Sequence, residues 1–335
     1  MSKFVSGFIT LGLVIAVIYL PCDVYGYAIH VGTAPLAMQD SKKIKHDLYE
    51  TFEKNRAGDA IALKTAYEAG KEYLQKFPDE KDPHVKEIRE WIALYGLAKV
   101  YKEKKYDEAF EAGKYVLSSD AENIRILTAL GYAGMQSAAA GNGEFIADAT
   151  VHAKKAIQLI ESGKTPVDWK PFAGKDETLG WLNYSIGVMV LKAPGDASGF
   201  LVKAAQYEGA PKNNPVLYYY LASSYSQTFE KERSDYKAKY EGKEETPESK
   251  AALEKVGATV DLIIDAYARA IAYVNVNPQY QQGFQLQQTE WTTKLTELYK
   301  SRHNSSDAGL KEMIADIRTK PLPGRGLRLT TSSLP

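Results

Sequence analysis

Cysteine is nearly absent from this chain of 335 residues: Cys22 is the only one. One thiol excludes an internal disulfide and a Cys-based metal knuckle, so stability has to come from packing. An excess charge of either sign is missing too, with 42 basic and 42 acidic side chains. A duplex or RNA binder carries a basic excess or stripe, so nucleic acid is not an expected partner. Histidine is scarce, and His30, His46, His84, His152 and His303 stand far apart without a second ligand at metal-binding spacing. No sustained period-two alternation appears, and only 14 prolines interrupt the helical pattern, which argues against a sheet protein.

Catalytic signatures are equally thin. SGKT, from Ser162, has the tail of a phosphate loop, but Gln158 occupies the place of the first glycine and a helix precedes it. GNG, from Gly141, lacks the third glycine of a dinucleotide turn. The sequence implies no catalytic residue, no metal and no cofactor.

What is present is repetition. AYEAGKEYL, from Ala66, returns as AFEAGKYVL, from Ala109, an offset of 43 residues. Weaker echoes are ATVHAKKAI from Ala149, ASGFLVKAA from Ala197 and IIDAYARAI from Ile263. Small residues three to four apart, such as Ala149, Ala153 and Ala156, share one helical face and let a neighbouring helix approach closely. Each echo is preceded by another apolar helix with a large–small pair at its middle: Leu97-Ala98, Leu130-Gly131, Ile186-Gly187 and Leu221-Ala222. A period of this length marks a stack of two-helix units rather than one closed core.

Such helix pairs resemble the tetratricopeptide repeat. NNPVLYYYLASSY, from Asn213, followed by the helix carrying Tyr267, Ala270 and Ile271, is the nearest match, and YDEAFEAGKYVL, from Tyr106, is similar to the second-helix motif. Gly113 departs from the pattern by standing where the family usually has an aromatic. The resemblance covers residues 41–300. It implies an all-α fold: a right-handed α-solenoid of about five helix-turn-helix units with C-terminal capping helices, over residues 41–318. It also implies that the first helix of each pair lines a concave groove, which would place Tyr95, Tyr184 and Tyr219 at equivalent groove positions. Trp181 and Tyr132 would lie alongside, with Lys99, Lys102 and Arg125 as polar neighbours. Twenty-three tyrosines against 10 phenylalanines fit such a surface, because tyrosine offers a rigid face and one hydroxyl to a partner. The lysine and asparagine pattern by which some members of the family grip a C-terminal carboxylate is missing.

Outside the repeats, an uncharged run opens at Phe4 behind Lys3 and closes at Leu20 before Pro21. Residues 1–28 read as an export signal or, uncleaved, as a membrane anchor through residues 4–20. Pro21 before Cys22 does not suit a lipoprotein signal. Either reading places the repeats outside the cytoplasm, periplasmic or secreted, and a disulfide-free exported array points to a bacterial envelope. Residues 29–40 read as a linker, with Asp40 or Ser41 capping the first helix. Residues 161–177 hold proline and glycine and read as a hinge between two halves. Residues 229–255 read as a charged, solvated helical hairpin. Residues 319–335 read as an extended tail, too poor in apolar side chains to fold alone.

The function expected from these features is an extracytoplasmic scaffold that binds a protein or peptide and carries out no chemistry. Two alternatives are an accessory subunit of a membrane complex, anchored by the N-terminal helix, and a cell-wall glycan-acting enzyme built on helical repeats.

Overall fold

The structure is a computed structural model. It describes residues 34–323 except 104, 171 and 192–196, and the side chains of residues 34–39 and 96–103 also fall outside the description. The expected export signal, the remainder of the tail and the side chain of Lys99 therefore lie outside the described residues. Among the described residues there are thirteen α-helices and no strand, so the fold is all-α. No helix among them is long and apolar enough to cross a membrane.

The chain divides into two units, Met1–Asp47 and Leu48–Pro335. Helix α1 (Ala34–Asn55) begins in the first. Residues 40–47 of it are mostly exposed, with an i,i+4 pair between Lys43 and Asp47 at 2.7 Å. The helix starts ahead of the Asp40–Ser41 cap that the sequence suggests. Pro35 fits a first turn, where no N–H is needed, and Leu36, Ala37, Met38 and Gln39 are good helix formers.

The second unit contains the helices α2 (Ala60–Lys76), α3 (Pro83–Glu103), α4 (Tyr106–Ser119), α5 (Ile124–Ala139), α6 (Ile146–Glu161), α7 (Lys175–Leu191), α8 (Ala197–Gln206), α9 (Pro215–Tyr240) and α10 (Pro247–Asn275). Helices α11 (Pro278–Gly283), α12 (Gln285–Arg302) and α13 (Leu310–Asp316) follow. Their starts are written in the sequence. Asp59 accepts from the N–H groups of Ile61 and Ala62 at 3.1 and 3.0 Å, Asn123 from Ile126, and Asn214 from Val216 ahead of α9. Thr246 and Ser249 form a reciprocal capping box at α10, with Pro247 at the first helical position.

Successive helices pack as pairs: α3 with α4, α5 with α6, α7 with α8 and α9 with α10. The first helix of each pair also meets the first helix of the next, α3 on α5, α5 on α7 and α7 on α9. The second helices α4, α6 and α8 meet α5, α7 and α9 in turn. Small residues set the spacing within pairs. A Cβ added at Gly131 would lie 2.8 Å from the Cβ of Ala153, and one at Gly134 only 2.1 Å from the Cβ of Ala149. At Gly187 it would meet Leu201 of α8 at 2.6 Å. The echoing alanines of α6 are therefore contact points between backbones, and Ala149, Ala153, Ala156 and Ala222 are all fully buried.

Helices α12 and α13 pack on α10, as does the 3-10 turn Ile317–Thr319. The chain beyond that turn is latched by Arg269 of α10. Its guanidinium makes two bonds to the Asp265 carboxylate, at 2.7 and 3.3 Å. It also donates to the carbonyls of Lys320 and Pro321 at 3.0 and 2.8 Å. Both ionic side chains are nearly sealed from water, at 4% and 3% exposure. Residues 320–322 thus run against α10, and Leu322 packs on the core.

Two further segments are now defined. Residues 162–174 connect α6 to α7 and are tied to the α4–α5 connection by a Lys164–Glu122 ion pair and to α5 by Arg125 Nε against Asp168 at 3.5 Å. Residues 229–255 form the far ends of α9 and α10 and the turn at Gly242 (φ +75°). Polar bonds bridge these two helices: Thr259 donates to Glu232 at 2.6 Å, and Lys255 pairs with it at 3.2 Å.

Candidate functional site

The first helices of the pairs carry a continuous row of aromatic rings. In α5, Gly131 faces Ala153 of α6, and Tyr132, about 100° further round the helix, points elsewhere. Its ring meets Trp181 of α7 edge-on at 5.4 Å and Phe172 of the α6–α7 connection at 5.3 Å. Trp181 and Tyr184, three apart on α7, share a face and touch at 5.4 Å. Tyr184 then meets Tyr220 of α9 at 6.1 Å, and Tyr220 meets Tyr219 at 5.7 Å. Tyr219 stacks on Trp291 of α12 at 5.2 Å, and Phe284 and Tyr280 complete the row. Trp291 and Tyr184 are the buried members, at 2% and 6% exposure. Tyr132, Phe172, Trp181, Tyr219, Tyr220, Tyr280 and Phe284 are half-buried and present ring edges or faces to solvent.

Burial governs the electrostatics of this row. It raises the phenol pKa of Tyr132, partly offset by a hydrogen bond from Gln136, and it raises that of Tyr220. Tyr184 is pushed far above the ordinary tyrosine range by burial first and then by the neighbouring phenols of Tyr220, Tyr132 and Tyr280. All these phenols remain neutral donors at any physiological pH. Among the described residues no partner holds the hydroxyls of Tyr184, Tyr219 or Tyr220, or the indole N–H of Trp181. No cation sits over these four rings among the described residues either.

A second aromatic group gathers around α3. Trp91 stacks on Tyr95 at 4.8 Å, Tyr95 meets Tyr67 of α2 at 5.3 Å, and Phe52 meets Trp91 edge-on at 5.3 Å. A cavity of about 360 Å³ opens beside Trp91 and Tyr95, rimmed by Arg56, Glu87, Glu90 and Arg125. Two of these charges, Arg56 and Glu87, are answered within the cavity rim. Arg56 pairs with Glu53 and Glu87 at 2.9 and 2.8 Å, and Tyr49 donates to Glu87 at 2.9 Å. Burial, then Glu87, pushes the Tyr49 phenol up to about 12. Trp91 gives its indole N–H to the carbonyl of Arg56 at 3.1 Å. Arg56, Glu53, Glu87, Tyr49 and Trp91 thus form one connected polar network beside the aromatic core, whereas Arg125 Nε has no hydrogen-bond partner among the described residues.

The structure thus brings Tyr132, Trp181, Tyr184 and Tyr219 onto one row and leaves Tyr95 in a separate cluster. The three tyrosines expected at equivalent positions are not displayed alike. Tyr95 is buried to 8% exposure by Tyr67 and Trp91, Tyr184 is buried to 6%, and Tyr219 stays half-exposed. Arg125 lies at the rim of the α3 cavity, paired with Asp168. Sequence reasoning missed Phe172, Tyr220, Tyr280, Phe284 and Trp291. Tyr220 was findable as the neighbour of Tyr219. Phe172 lies in a connection and the last three in or between α11 and α12, beyond the last of the sequence echoes, where the repeat period gives no guidance. Among the described residues no three His, Cys, Asp or Glu side chains are grouped to hold a metal ion. No protein-family model, no curated protein and no solved structure matches the chain.

Proposed function

We propose that this chain is an exported, non-catalytic scaffold that binds a protein or peptide along the aromatic row. In this reading the pairs from α1–α2 to α9–α10 are five tetratricopeptide-like units of a right-handed α-solenoid, and α12 and α13 are its cap. The observation that carries the binding role is the row itself. It crosses the three successive first-position helices α5, α7 and α9, continues onto α11 and α12, and keeps most of its rings half-exposed. A packed core needs no such display, whereas interface anchors are typically aromatic side chains at the centre of a contact. The apolar run at residues 4–20 supports delivery across a membrane, either as a cleaved signal or as a retained anchor.

The test is a double variant, Trp181→Ala with Tyr219→Ala, in the full-length chain purified from its native cells beside the parent. Anchors of this type typically contribute about 2 kcal/mol or more each when truncated. The chains that co-elute with the parent should be lost from the variant while its helical circular dichroism is unchanged. Full retention of those chains by a folded variant moves the partner site off this face.

A further inference from the structure

The turn between α5 and α6 places a side-chain amide carbon beside a free main-chain nitrogen. Asn142 is the only asparagine of the chain that precedes a glycine. Gly141, Asn142, Gly143 and Glu144 are all exposed. The main chain of Asn142 is pinned to α5 on both sides. Its N–H donates to the Ser137 carbonyl at 2.9 Å, and its carbonyl accepts from the Ser137 hydroxyl at 3.1 Å. Its side-chain Oδ1 accepts from the Glu144 N–H at 2.9 Å. That bond to the main chain two residues on closes a small ring of atoms, and the Asn142 Cγ and the Gly143 nitrogen are both members of it. The same bond draws electron density out of the side-chain carbonyl, which makes its carbon a better electrophile. Among the described residues the Gly143 N–H and the Asn142 Nδ2 donate to nothing. A Cβ at Gly143 would meet only the tip of Ile146, at 3.4 Å, so no neighbour walls off the approach.

We infer that Asn142 is a self-modification site, at which the Gly143 nitrogen displaces the side-chain amide and water completes a deamidation. The Gly143 nitrogen gives its proton to water and attacks Cγ, and the new C–N bond closes a five-membered succinimide. The Cγ–Nδ2 bond breaks, and the amide takes up one proton and leaves as ammonia. One water molecule then opens the ring. Opening at the side-chain carbonyl gives aspartate. Opening at the main-chain carbonyl gives isoaspartate, with the chain now running through Cβ and Cγ. Nothing is oxidised or reduced, and water is the only co-reactant. In isoaspartate the free carboxylate is built on the former main-chain carbonyl, which already accepts from the Ser137 hydroxyl. A hydroxyl bonds more strongly to a carboxylate than to a neutral carbonyl, so the turn holds a donor ready for this product. Other asparagines each lack one part. Asn214 and Asn277 precede Pro215 and Pro278, which have no N–H. Beyond Asn304 the Ser305 N–H is committed to the Lys300 carbonyl at 2.8 Å. Asn123 accepts from Ile126 in a similar turn, but the residue after it is Ile124, β-branched and buried.

The test incubates the full-length chain in neutral buffer, native and in urea, and follows its tryptic peptides by mass spectrometry. Peptide 126–154 carries Asn142 and no other asparagine, and peptide 303–311 carries Asn304. In the native chain the first peptide should gain the mass of an amide replaced by a carboxyl, part of it as isoaspartate, while the second stays intact. In urea both should react, because unfolding frees the Ser305 N–H. The native rate at Asn142 should rise with pH, as attack by a deprotonated nitrogen requires. Gly143→Ala adds a methyl group in ordinary contact with Ile146, at a residue outside the left-handed region, so it should fold as the parent does by circular dichroism. It should slow the reaction at Asn142 about ten-fold, because alanine cannot reach the backbone conformations open to glycine. The inference is overturned if native Asn142 stays intact over the time in which Asn304 reacts in urea. It is equally overturned if native Asn304 reacts as fast as Asn142, or if Gly143→Ala leaves the rate unchanged.

Discussion

Replacing Gly134 by alanine probes how closely α5 lies on α6. The added Cβ would stand 2.1 Å from the Cβ of Ala149, with Phe110 and the Phe145 carbonyl each 3.5 Å away. Carbon atoms in van der Waals contact sit about 3.5–4.0 Å apart, so the helices must part by roughly 1.5 Å. Neither methyl group has a rotamer by which to escape. Two effects then compete. Alanine favours a helix interior over glycine by about 1 kcal/mol. Overpacking a close-packed interface costs about 1–3 kcal/mol, and the separation also loosens Phe110 against Phe145, now stacked at 4.3 Å. The clash wins, and the expected net loss is about 1–2 kcal/mol. On a domain of this size each kcal/mol moves the Tm by about 2–4 °C, so a fall of about 2–8 °C is expected by far-UV circular dichroism. The companion variant, Gly134→Ala with Ala149→Gly, moves the methyl group to the other helix. Its propensity terms cancel and its clash disappears, so it should melt close to the parent, although Ala149→Gly alone should cost about 1 kcal/mol. A Gly134→Ala chain that melts at or above the parent refutes the close approach. So does a double variant whose loss is the simple sum of the two single losses.

Four further outcomes follow from the same physics. Ala222→Leu places three extra carbons at a fully buried site on α9 and should cost about 1–3 kcal/mol, and an unchanged Tm would show that the site has room. Arg269→Ala strands the buried Asp265 carboxylate and should cost about 3–5 kcal/mol, with faster tryptic cleavage after Arg318, and wild-type behaviour in both assays would dismiss the latch. Burial lowers the His152 pKa, Asp148 opposes that shift and Lys114 adds to it. The unfolded chain therefore takes up the proton first as pH drops below about 6.5. Stability should be complete above that pH and decline as pH falls through it, and His152→Gln should flatten this slope in urea midpoints measured across the window. A slope that persists unchanged in the variant assigns it to other groups. Aspartates at Leu13 and Val14 should each oppose insertion by about 2.5–3.5 kcal/mol and hold the chain in the cytoplasm, and normal export of that variant would rule out the signal reading.

The helices were legible because close packing leaves a mark in composition. Two backbones in contact tolerate only Gly or Ala at the crossing, and Gly131, Gly134, Ala149 and Ala153 stand out in the sequence for that reason. Part of the aromatic row was legible because Tyr184 and Tyr219 recur on first-position helices. How far each ring shows was not, since exposure depends on neighbours from other helices. Tyr67 arrives from α2 to cover Tyr95, and nothing local to Tyr95 announces it. The contacts of Trp291 and Phe284 with the row arise from the path of the chain after α10, which obeys no period. The Arg269 latch left no trace at all in the tail, because its partners there are main-chain carbonyls about fifty residues away.

That latch has an evolutionary side. Every residue type presents the same carbonyl, so Arg269 fixes the route of the chain past α10 without dictating the side chains at Lys320 and Pro321. Substitution at these two places is cheap, and a one-residue insertion between α13 and the latch would still bring a carbonyl to the guanidinium. The end of the array is therefore a tolerant joint. Segments of new sequence can be exchanged beyond it over generations while the buried Asp265–Arg269 pair, and the helices behind it, stay as they are.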